Sequence, residues 1–114
     1  MTTILVVEDN ADLREMYQEI LSMVGHTVRS AETAAEAIAA LSAERPAVLV
    51  LDLGIAGGVE PVLAAAGTRV GVILASGARD LPQRAAALGA AESLLKPFGP
   101  EQLLAAVERV TKAR

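Results

Sequence analysis

The sequence lacks cysteine and tryptophan, and its aromatic side chains are limited to one tyrosine, Tyr17, and one phenylalanine, Phe98. Without cysteine the chain can form neither a disulfide nor a thiolate metal site, an absence that fits a cytoplasmic protein. With so few rings, any core must be aliphatic. Hydrophobic residues make up 53% of the chain, well above the content of a disordered chain, so a packed core is expected.

Basic residues are also scarce, 10 against 14 acidic ones, which gives a formal net charge of −4. Nucleic-acid binding and docking on anionic lipid both need a basic surface, so this charge argues against each. No apolar run is long enough to span a bilayer, and the start of the chain lacks the basic residues and apolar length of a signal peptide. The 114 residues fit one domain, so we expect residues 1–114 to form a single domain with no output domain.

Short apolar runs alternate with longer segments of helical spacing along the whole chain. Continuous apolar runs suit strands buried on both faces of a parallel sheet, and each intervening segment is long enough for a right-handed crossover. Thr33 and Glu36 have the spacing of a capping box that starts the second helix. The pattern predicts an α/β fold with a doubly wound five-stranded parallel sheet. The predicted strands are residues 4–7, 27–30, 48–51, 70–75 and 93–95, and the predicted helices are residues 12–24, 33–43, 61–66, 80–88 and 101–112.

The first predicted helix has an apolar stripe that should face the core. Met16 and Val24 are expected on this inner face, and Met23 is also expected to pack inside rather than to form a binding surface. His26, just after the helix, has no acidic residue or second histidine at ligand spacing. We therefore expect His26 to be an exposed turn residue and not a metal ligand.

Polar residues that could carry chemistry follow four of the five predicted strands. Strand 1 ends at Glu8 and Asp9, strand 3 at Asp52, strand 4 at Ser76 and strand 5 at Lys96. In open α/β sheets, ligands bind beyond the carboxyl ends of the strands, where the strand order reverses. With the strand order 2-1-3-4-5, the three carboxylates would share one pocket, with the serine and the lysine to one side.

Three carboxylates in one pocket repel one another. Two unit charges about 5 Å apart at an effective dielectric constant near 20 cost roughly 3 kcal/mol. Either one carboxyl group is protonated or a cation occupies the pocket, and oxygen ligands without histidine or cysteine suit Mg²⁺, which favours phosphate oxygens. Lys96 and Ser76 could each contact a phosphoryl oxygen. The set describes phosphoryl transfer to a carboxylate, with Asp52 the best nucleophile and Glu8 and Asp9 better placed as paired metal ligands.

Four short segments, in order along the chain, resemble the signatures of response-regulator receiver domains of two-component signal transduction, including the chemotaxis-regulator-like ones. They read VVEDN at 6–10, VLDL at 50–53, ASG at 75–77 and LKPF at 95–98. Each is a weak signal alone, but all four at strand ends with these separations make a specific match. The resemblance covers essentially the whole chain and implies a flavodoxin-like (α/β)5 fold with the strand order 2-1-3-4-5.

The resemblance also implies a function. Asp52 would accept a phosphoryl group from a histidine kinase or a histidine phosphotransfer protein. Glu8, Asp9, Asp52 and the backbone carbonyl of Gly54 would hold Mg²⁺. Such a domain catalyses only its own phosphorylation and dephosphorylation, so it is not an enzyme acting on other substrates, and it signals to an unknown downstream protein through altered contacts.

Further residues receive roles by the same resemblance. Ser76 would move toward the phosphate, Lys96 would sense it, and the peptide bond between Lys96 and Pro97 would be cis, as X–Pro bonds can be. The face made by strand 4, helix 4, strand 5 and helix 5 often meets partners in this family. Its candidate residues here are Arg79, Arg84, Glu108 and Arg109.

The sequence departs from the family pattern in ways that keep a second hypothesis open. The family usually has an aromatic residue three positions before the lysine, where this chain has Ser93. The segment from Asp52 to Ser76 is also shorter than usual, which trims the third helix. The alternative is a degenerate receiver that acts as a phosphorylation-independent protein-interaction module. A phosphatase of the haloacid dehalogenase type would need a second aspartate two residues after the nucleophile, where Gly54 stands.

Overall fold

Strands and helices alternate without exception over residues 2–113, the part of the chain that this computed structural model describes. In chain order the elements are β1 Thr3–Val7, α1 Ala11–Met23, β2 Thr27–Ala31, α2 Ala34–Ala43, β3 Val48–Asp52, α3 Glu60–Ala66, β4 Gly71–Ser76, α4 Leu81–Ala87, β5 Glu92–Leu95 and α5 Pro100–Lys112. The predicted elements are confirmed, with most ends shifted by a single residue.

The five strands form one sheet in the order β2-β1-β3-β4-β5, and every neighbouring pair is parallel. This is the doubly wound, flavodoxin-like sheet that the sequence predicts. The strand order reverses between β1 and β3, which lie side by side with Val7 opposite Leu51. The carboxyl ends of these two strands therefore open at the same point, where ligands bind in sheets of this kind.

An aliphatic core fills both sides of the sheet, because successive residues of each buried strand point to opposite faces. Ile4 and Val6 of β1 pack toward α1 and α5, whereas Leu5 and Val7 pack toward α2, α3 and α4. All four side chains are at most 1% exposed. This double burial explains why the central strands read as unbroken apolar runs.

The buried face of α1 is narrower than the sequence indicates. Asn10 caps the helix by accepting a hydrogen bond from the Leu13 amide at 3.0 Å. Met16 and Met23 are 39% and 85% exposed, because each lies about 100° or more around the helix axis from the buried Tyr17. The prediction that these two methionines pack inside is therefore wrong.

The end of α1 corrects two further predictions. The helix ends at Met23, and the chain then reverses at Gly25, which has a φ of 93°. Val24 is consequently outside the helix and 53% exposed, not part of its inner face. His26 is half-buried rather than exposed, because it lies in a groove beside Val107 and Glu108 of α5.

Both ends of α2 depend on side chains from outside the helix. The Thr33 hydroxyl accepts a hydrogen bond from the Glu36 amide at 3.2 Å, as a capping box requires. The Glu36 carboxylate, however, accepts from the Glu32 amide at 3.0 Å, one residue earlier than the capping box predicts. At the other end, the Arg29 guanidinium of β2 donates to the Ala40 carbonyl at 2.9 Å and to the Glu44 carbonyl.

The loop that follows β3 is tied to the start of α2. The Ala34 amide donates to the Ala56 carbonyl at 2.9 Å. Gly57 has a φ of +92°, and a Cβ at this position would lie 2.7 Å from the Cβ of Ala34, so only glycine fits. The loop leads into α3, which has seven residues and is as short as the sequence indicates. None of the described helices is both long and apolar enough to cross a membrane.

Candidate functional site

The carboxyl ends of β1, β3 and β5 bring four charged side chains together. Asp52 is the last residue of β3, Glu8 and Asp9 follow β1 directly, and Lys96 follows β5. One carboxylate oxygen from each of the three acidic residues lies within 4.8 Å of the others. The convergence expected from the strand ends is therefore present in the structure.

Lys96 bridges the two buried carboxylates of the site. Its Nζ lies 2.7 Å from Glu8 Oε1 and 2.8 Å from Asp52 Oδ1. The residues Glu8 and Asp52 are only 1% and 8% exposed. Buried charges of this kind are costly unless they are paired and hydrogen-bonded, and the ammonium group supplies that pairing for both.

Backbone amides satisfy the second oxygen of each buried carboxylate. The Asn10 amide donates to Glu8 Oε2 at 3.1 Å, and the Gly54 amide donates to Asp52 Oδ2 at 3.0 Å. A Cβ at position 54 would lie 3.2 Å from this same Asp52 oxygen, so a glycine here leaves room for the carboxylate. The two carboxylates are thus fixed in place by short local turns as well as by the lysine.

The electrostatics of the site follow from burial and from this pairing. Burial raises the pKa of Glu8, and the nearby charge of Asp52 raises it further. The hydrogen bonds from Lys96 and from the Asn10 amide counteract part of this rise. Burial alone would lower the pKa of Lys96, but its hydrogen bonds to Asp52 and Glu8 outweigh burial and raise it. The lysine therefore stays charged over the physiological pH range.

The donor set of the pocket fits a hard divalent cation. All three clustered ligands are carboxylates, and neither histidine nor cysteine takes part. Mg²⁺ binds oxygen ligands at about 2.0–2.1 Å, so ligands around one ion lie roughly 3–4 Å apart. Small side-chain adjustments would bring the three oxygens to that spacing. Asp9 is exposed, which leaves an open side for water or a phosphoryl group.

Ser76 lies at the edge of the site. It is the last residue of β4, and its carbonyl accepts a hydrogen bond from the Lys96 amide at 2.9 Å. Its hydroxyl oxygen accepts from the Ala78 amide at 3.0 Å, which holds the side chain in its own turn. The peptide bond between Lys96 and Pro97 is cis.

The two aromatic rings of the chain stack beside the lysine, a feature that sequence reasoning missed. Tyr17 and Phe98 have ring centroids 5.4 Å apart and an interplanar angle of 18°. Together with Leu13, Met16, Lys96 and Pro97 they line a cavity of about 370 Å³. Burial raises the pKa of Tyr17 to about 12. The available signal was the position of Phe98, two residues after the lysine.

The four candidate partner-face residues do not share one surface. Arg84 is exposed on α4 and Arg79 is exposed in the loop before it. Arg109 of α5 donates to Glu92 of β5 at 2.7 and 3.0 Å. Glu108 instead lines the groove that contains Val24 and His26, and pairs with Lys112 at 2.7 Å. Glu108 and Arg109, although neighbours in sequence, thus face different parts of the surface.

Known proteins share both the sequence pattern and the fold. Residues 4–108 match the sequence model of a family described as the response regulator receiver domain. The response regulator MprA of Mycobacterium ulcerans is 35% identical over 108 residues, which cover 90% of this chain and 47% of MprA. The phosphate regulon transcriptional regulatory protein PhoB of Pseudomonas aeruginosa is 30% identical over 118 residues, or 96% of this chain and 52% of PhoB. The chain spans about a quarter to a half of the length of curated relatives such as these.

Solved structures of similar length match almost the whole chain. The chemotaxis protein CheY4 of Vibrio cholerae superposes with a TM-score of 0.85 at 28% identity, over 96% of this chain and 98% of CheY4. A response regulator receiver protein from Burkholderia phymatum superposes with a TM-score of 0.89 at 28% identity, over 98% of this chain and 96% of that protein. The family match covers most of the chain, and these structures share its fold. The chain therefore belongs to the response regulator receiver domain family, as its four sequence signatures indicate.

Proposed function

We propose that this receiver domain works in a phosphorelay, in which Asp52 accepts a phosphoryl group in the presence of Mg²⁺. One observation carries the proposal. The Asp52 carboxylate stands at the end of a central strand, contacts the Lys96 ammonium at 2.8 Å, and shares a pocket with Glu8 and Asp9. Signalling modules of this family are not enzymes acting on other substrates, and the proposed chemistry is limited to Asp52 itself.

The metal site of the proposal consists of Glu8, Asp9 and Asp52, with the backbone carbonyl of Gly54 as a further ligand. Bound Mg²⁺ would neutralise charge on the phosphoryl oxygens and orient the group for in-line transfer. The clustered carboxylates support this assignment because their mutual repulsion favours a bound cation. The carbonyl role of Gly54 comes from the family resemblance alone, since the contact present in the structure is made by its amide.

The proposed reaction forms one bond and breaks one. An Asp52 oxygen attacks phosphorus, a new P–O bond forms, and the bond from phosphorus to the donor breaks. For a phosphohistidine of a kinase or phosphotransfer protein, the imidazole nitrogen keeps the electron pair of the broken P–N bond and can take up a proton. Hydrolysis of the aspartyl phosphate then returns the carboxylate and inorganic phosphate.

Lys96 and Ser76 have distinct roles in this scheme. Phosphorylation adds negative charge beyond the carboxylate that the Lys96 ammonium already contacts, so the ammonium can follow a phosphoryl oxygen with a small movement. The Ser76 oxygen accepts a hydrogen bond from Ala78, which leaves its hydroxyl proton available for a second phosphoryl oxygen. Both residues stabilise charge on the transferred group rather than react with it.

The partners in the proposal follow from the family. A histidine kinase or a histidine phosphotransfer protein supplies the phosphoryl group, and an unidentified downstream protein meets the modified domain. The net charge of −4 supports partners other than nucleic acid or membrane lipid for this domain. We also propose a cytoplasmic location, which suits a chain without cysteine, and that residues 1–114 act as one receiver domain.

Intact-mass measurement tests the proposal. Incubation with acetyl phosphate and Mg²⁺ should add the mass of one phosphoryl group to the wild-type protein, and Asp52→Asn should take up none. Asp12→Asn is a matched control, because Asp12 is an exposed acidic residue on α1 outside the pocket. It should be labelled like wild type. Unmodified wild-type protein, or equal labelling of Asp52→Asn, would contradict the proposal and favour the phosphorylation-independent interaction module.

A further inference from the structure

Phe98 borders two separate cavities, one on each side of the loop that follows β5. On the first side it lines the cavity of about 370 Å³ that contains Tyr17 and Lys96. On the second side it lines a groove of about 360 Å³ that contains Ser93 and Arg109. No other residue in the described part of the chain, 2–113, lines both of these cavities. The phenyl ring thus stands between the α1 side of the site and the surface of β5 and α5.

The first cavity connects the ring to the charge state of Asp52. Lys96 lines this cavity, and its Nζ contacts Asp52 Oδ1 at 2.8 Å and Glu8 Oε1 at 2.7 Å. A phosphoryl group on Asp52 carries about −1.5 to −2 charge units and projects beyond the carboxylate. An ammonium group drawn outward by this charge moves the lysine stem along the cavity wall, against which the stacked rings lie.

The second cavity offers an alternative position for the Phe98 ring. Ser93 has a small side chain and is half-buried on β5, so space remains beside it. The groove also offers apolar contacts with the buried Leu94 and with Ala105 of α5. A ring that leaves the Tyr17 stack would therefore exchange one apolar contact surface for another without becoming fully exposed to water.

We propose that Phe98 is a two-position switch residue, stacked on Tyr17 while Asp52 is unmodified and seated beside Ser93 when Asp52 carries a phosphoryl group. The inference rests on the proposed phosphorylation of Asp52 and adds the route by which that change reaches the protein surface. In the second position the ring fills the groove between Ser93 and Arg109, so a partner that contacts β5 and α5 meets a different shape.

Ring contacts measured by NMR test this inference directly, because the chain has a single tyrosine and a single phenylalanine. In protein with both residues isotope-labelled, nuclear Overhauser contacts between the Tyr17 and Phe98 rings should be strong in the free state. Trifluoroberyllate with Mg²⁺ serves as the phosphoryl mimic, and the fluorine spectrum of the bound mimic reports occupancy separately. On binding, the contacts between the rings should be lost and contacts from Phe98 to Ser93 and Ala105 should appear.

Two variants at position 93 complete the test. Ser93→Leu fills the groove without adding a second phenylalanine, so it should bind the mimic yet keep the contacts between Tyr17 and Phe98, whereas Ser93→Ala leaves the groove open and should behave like wild type. Bound mimic with unchanged ring contacts in wild type would overturn the inference and leave the proposed function intact. Loss of the contacts between Tyr17 and Phe98 in mimic-bound Ser93→Leu would also overturn the inference. Absence of any bound mimic would overturn the proposed function and, with it, the inference.

Discussion

At the scale of single residues, the Lys96 ammonium group supplies the positive charge that lets two carboxylates be buried together in the folded protein. Two carboxylates that are almost fully buried lie on either side of its ammonium group at 2.7 and 2.8 Å. Removing one partner from such an arrangement would leave an uncompensated buried charge, which is strongly destabilising. The lysine therefore has a structural role in the unmodified domain in addition to the role in phosphate contact that we propose.

Tyr17 offers a titration that checks the packing beside the lysine. Burial raises its pKa from the usual 10.0 to about 12. Because the folded state holds the phenolic proton more tightly than the unfolded chain, this contribution to stability is fully present below pH 10 and is lost as the pH rises through about 12. Tyrosinate absorbance reports this one residue, since the chain has no other tyrosine and no tryptophan.

The expected midpoint of that absorbance titration is near pH 12. Guanidinium-unfolded protein is the control and should titrate near 10, the value of an exposed phenol. A midpoint near 10 in the folded protein would show that Tyr17 is open to solvent, contrary to the stack with Phe98.

The sequence predicts the charged residues of the site better than their surroundings. Glu8, Asp9, Asp52 and Lys96 are readable because the ends of parallel strands meet at one edge of a sheet. Contacts between distant segments leave no such signal, so the stack of Tyr17 on Phe98 went unforeseen. The sequence also does not indicate on which side of α5 a charged residue lies, because this depends on how the helix is rotated against the sheet.

At the scale of secondary structure elements, the termini of the helices are where sequence and structure differ. A helix terminus leaves backbone groups without partners, and those groups are satisfied by whatever tertiary structure brings near. The sequence predicts the start of α2 at Thr33. No glycine follows the last turn of this helix, which ends at Ala43 and has Glu44 as its C-cap residue. The structure supplies the missing partner from β2, since Arg29 donates to the carbonyls of Ala40 and Glu44.

We therefore predict that Arg29→Met destabilises the fold by about 1–2 kcal/mol, the cost of leaving helix-terminal carbonyls without their charged donor. Urea unfolding followed by circular dichroism measures this change. Glu44→Gln is the matched control, because it removes only a long ion pair, with 3.8 Å between Arg29 Nε and the Oε1 of the exposed Glu44 side chain. Such a pair contributes about 0–1 kcal/mol. Equal effects of the two substitutions would contradict the capping role.

At the scale of the whole molecule, the sheet topology concentrates negative charge in a protein that is already acidic. The strand order β2-β1-β3-β4-β5 puts the ends of β1 and β3 side by side, and three carboxylates with one lysine remain net negative. A cation that binds only the folded state stabilises it by mass action. Binding of Mg²⁺ at the proposed site would therefore add to global stability, a linkage that follows from the strand order.

Mg²⁺ should accordingly raise the free energy of unfolding, by about 1.4 kcal/mol at a concentration ten times its dissociation constant. Thermal unfolding with and without Mg²⁺ measures the effect. Asp9→Asn should lose most of this increment. Without metal it should also be more stable than wild type, by about 0.5–1 kcal/mol, because one repelling charge is gone.

Asp12→Asn, which changes the net charge equally outside the pocket, should keep the wild-type response to Mg²⁺. An equal loss of the response in Asp9→Asn and Asp12→Asn would show that the ion acts by general screening. In that case the cluster of Glu8, Asp9 and Asp52 would not be the metal site.

The central claim, that Asp52 receives the phosphoryl group, is tested most directly by locating the modification. Borohydride reduces an aspartyl phosphate to homoserine, so peptide mass spectrometry of phosphorylated, reduced and digested protein identifies the modified position. We predict homoserine at position 52 and at no other aspartate, with Mg²⁺ required. Homoserine at position 9 instead, or a stable phosphate on His26, would contradict the account.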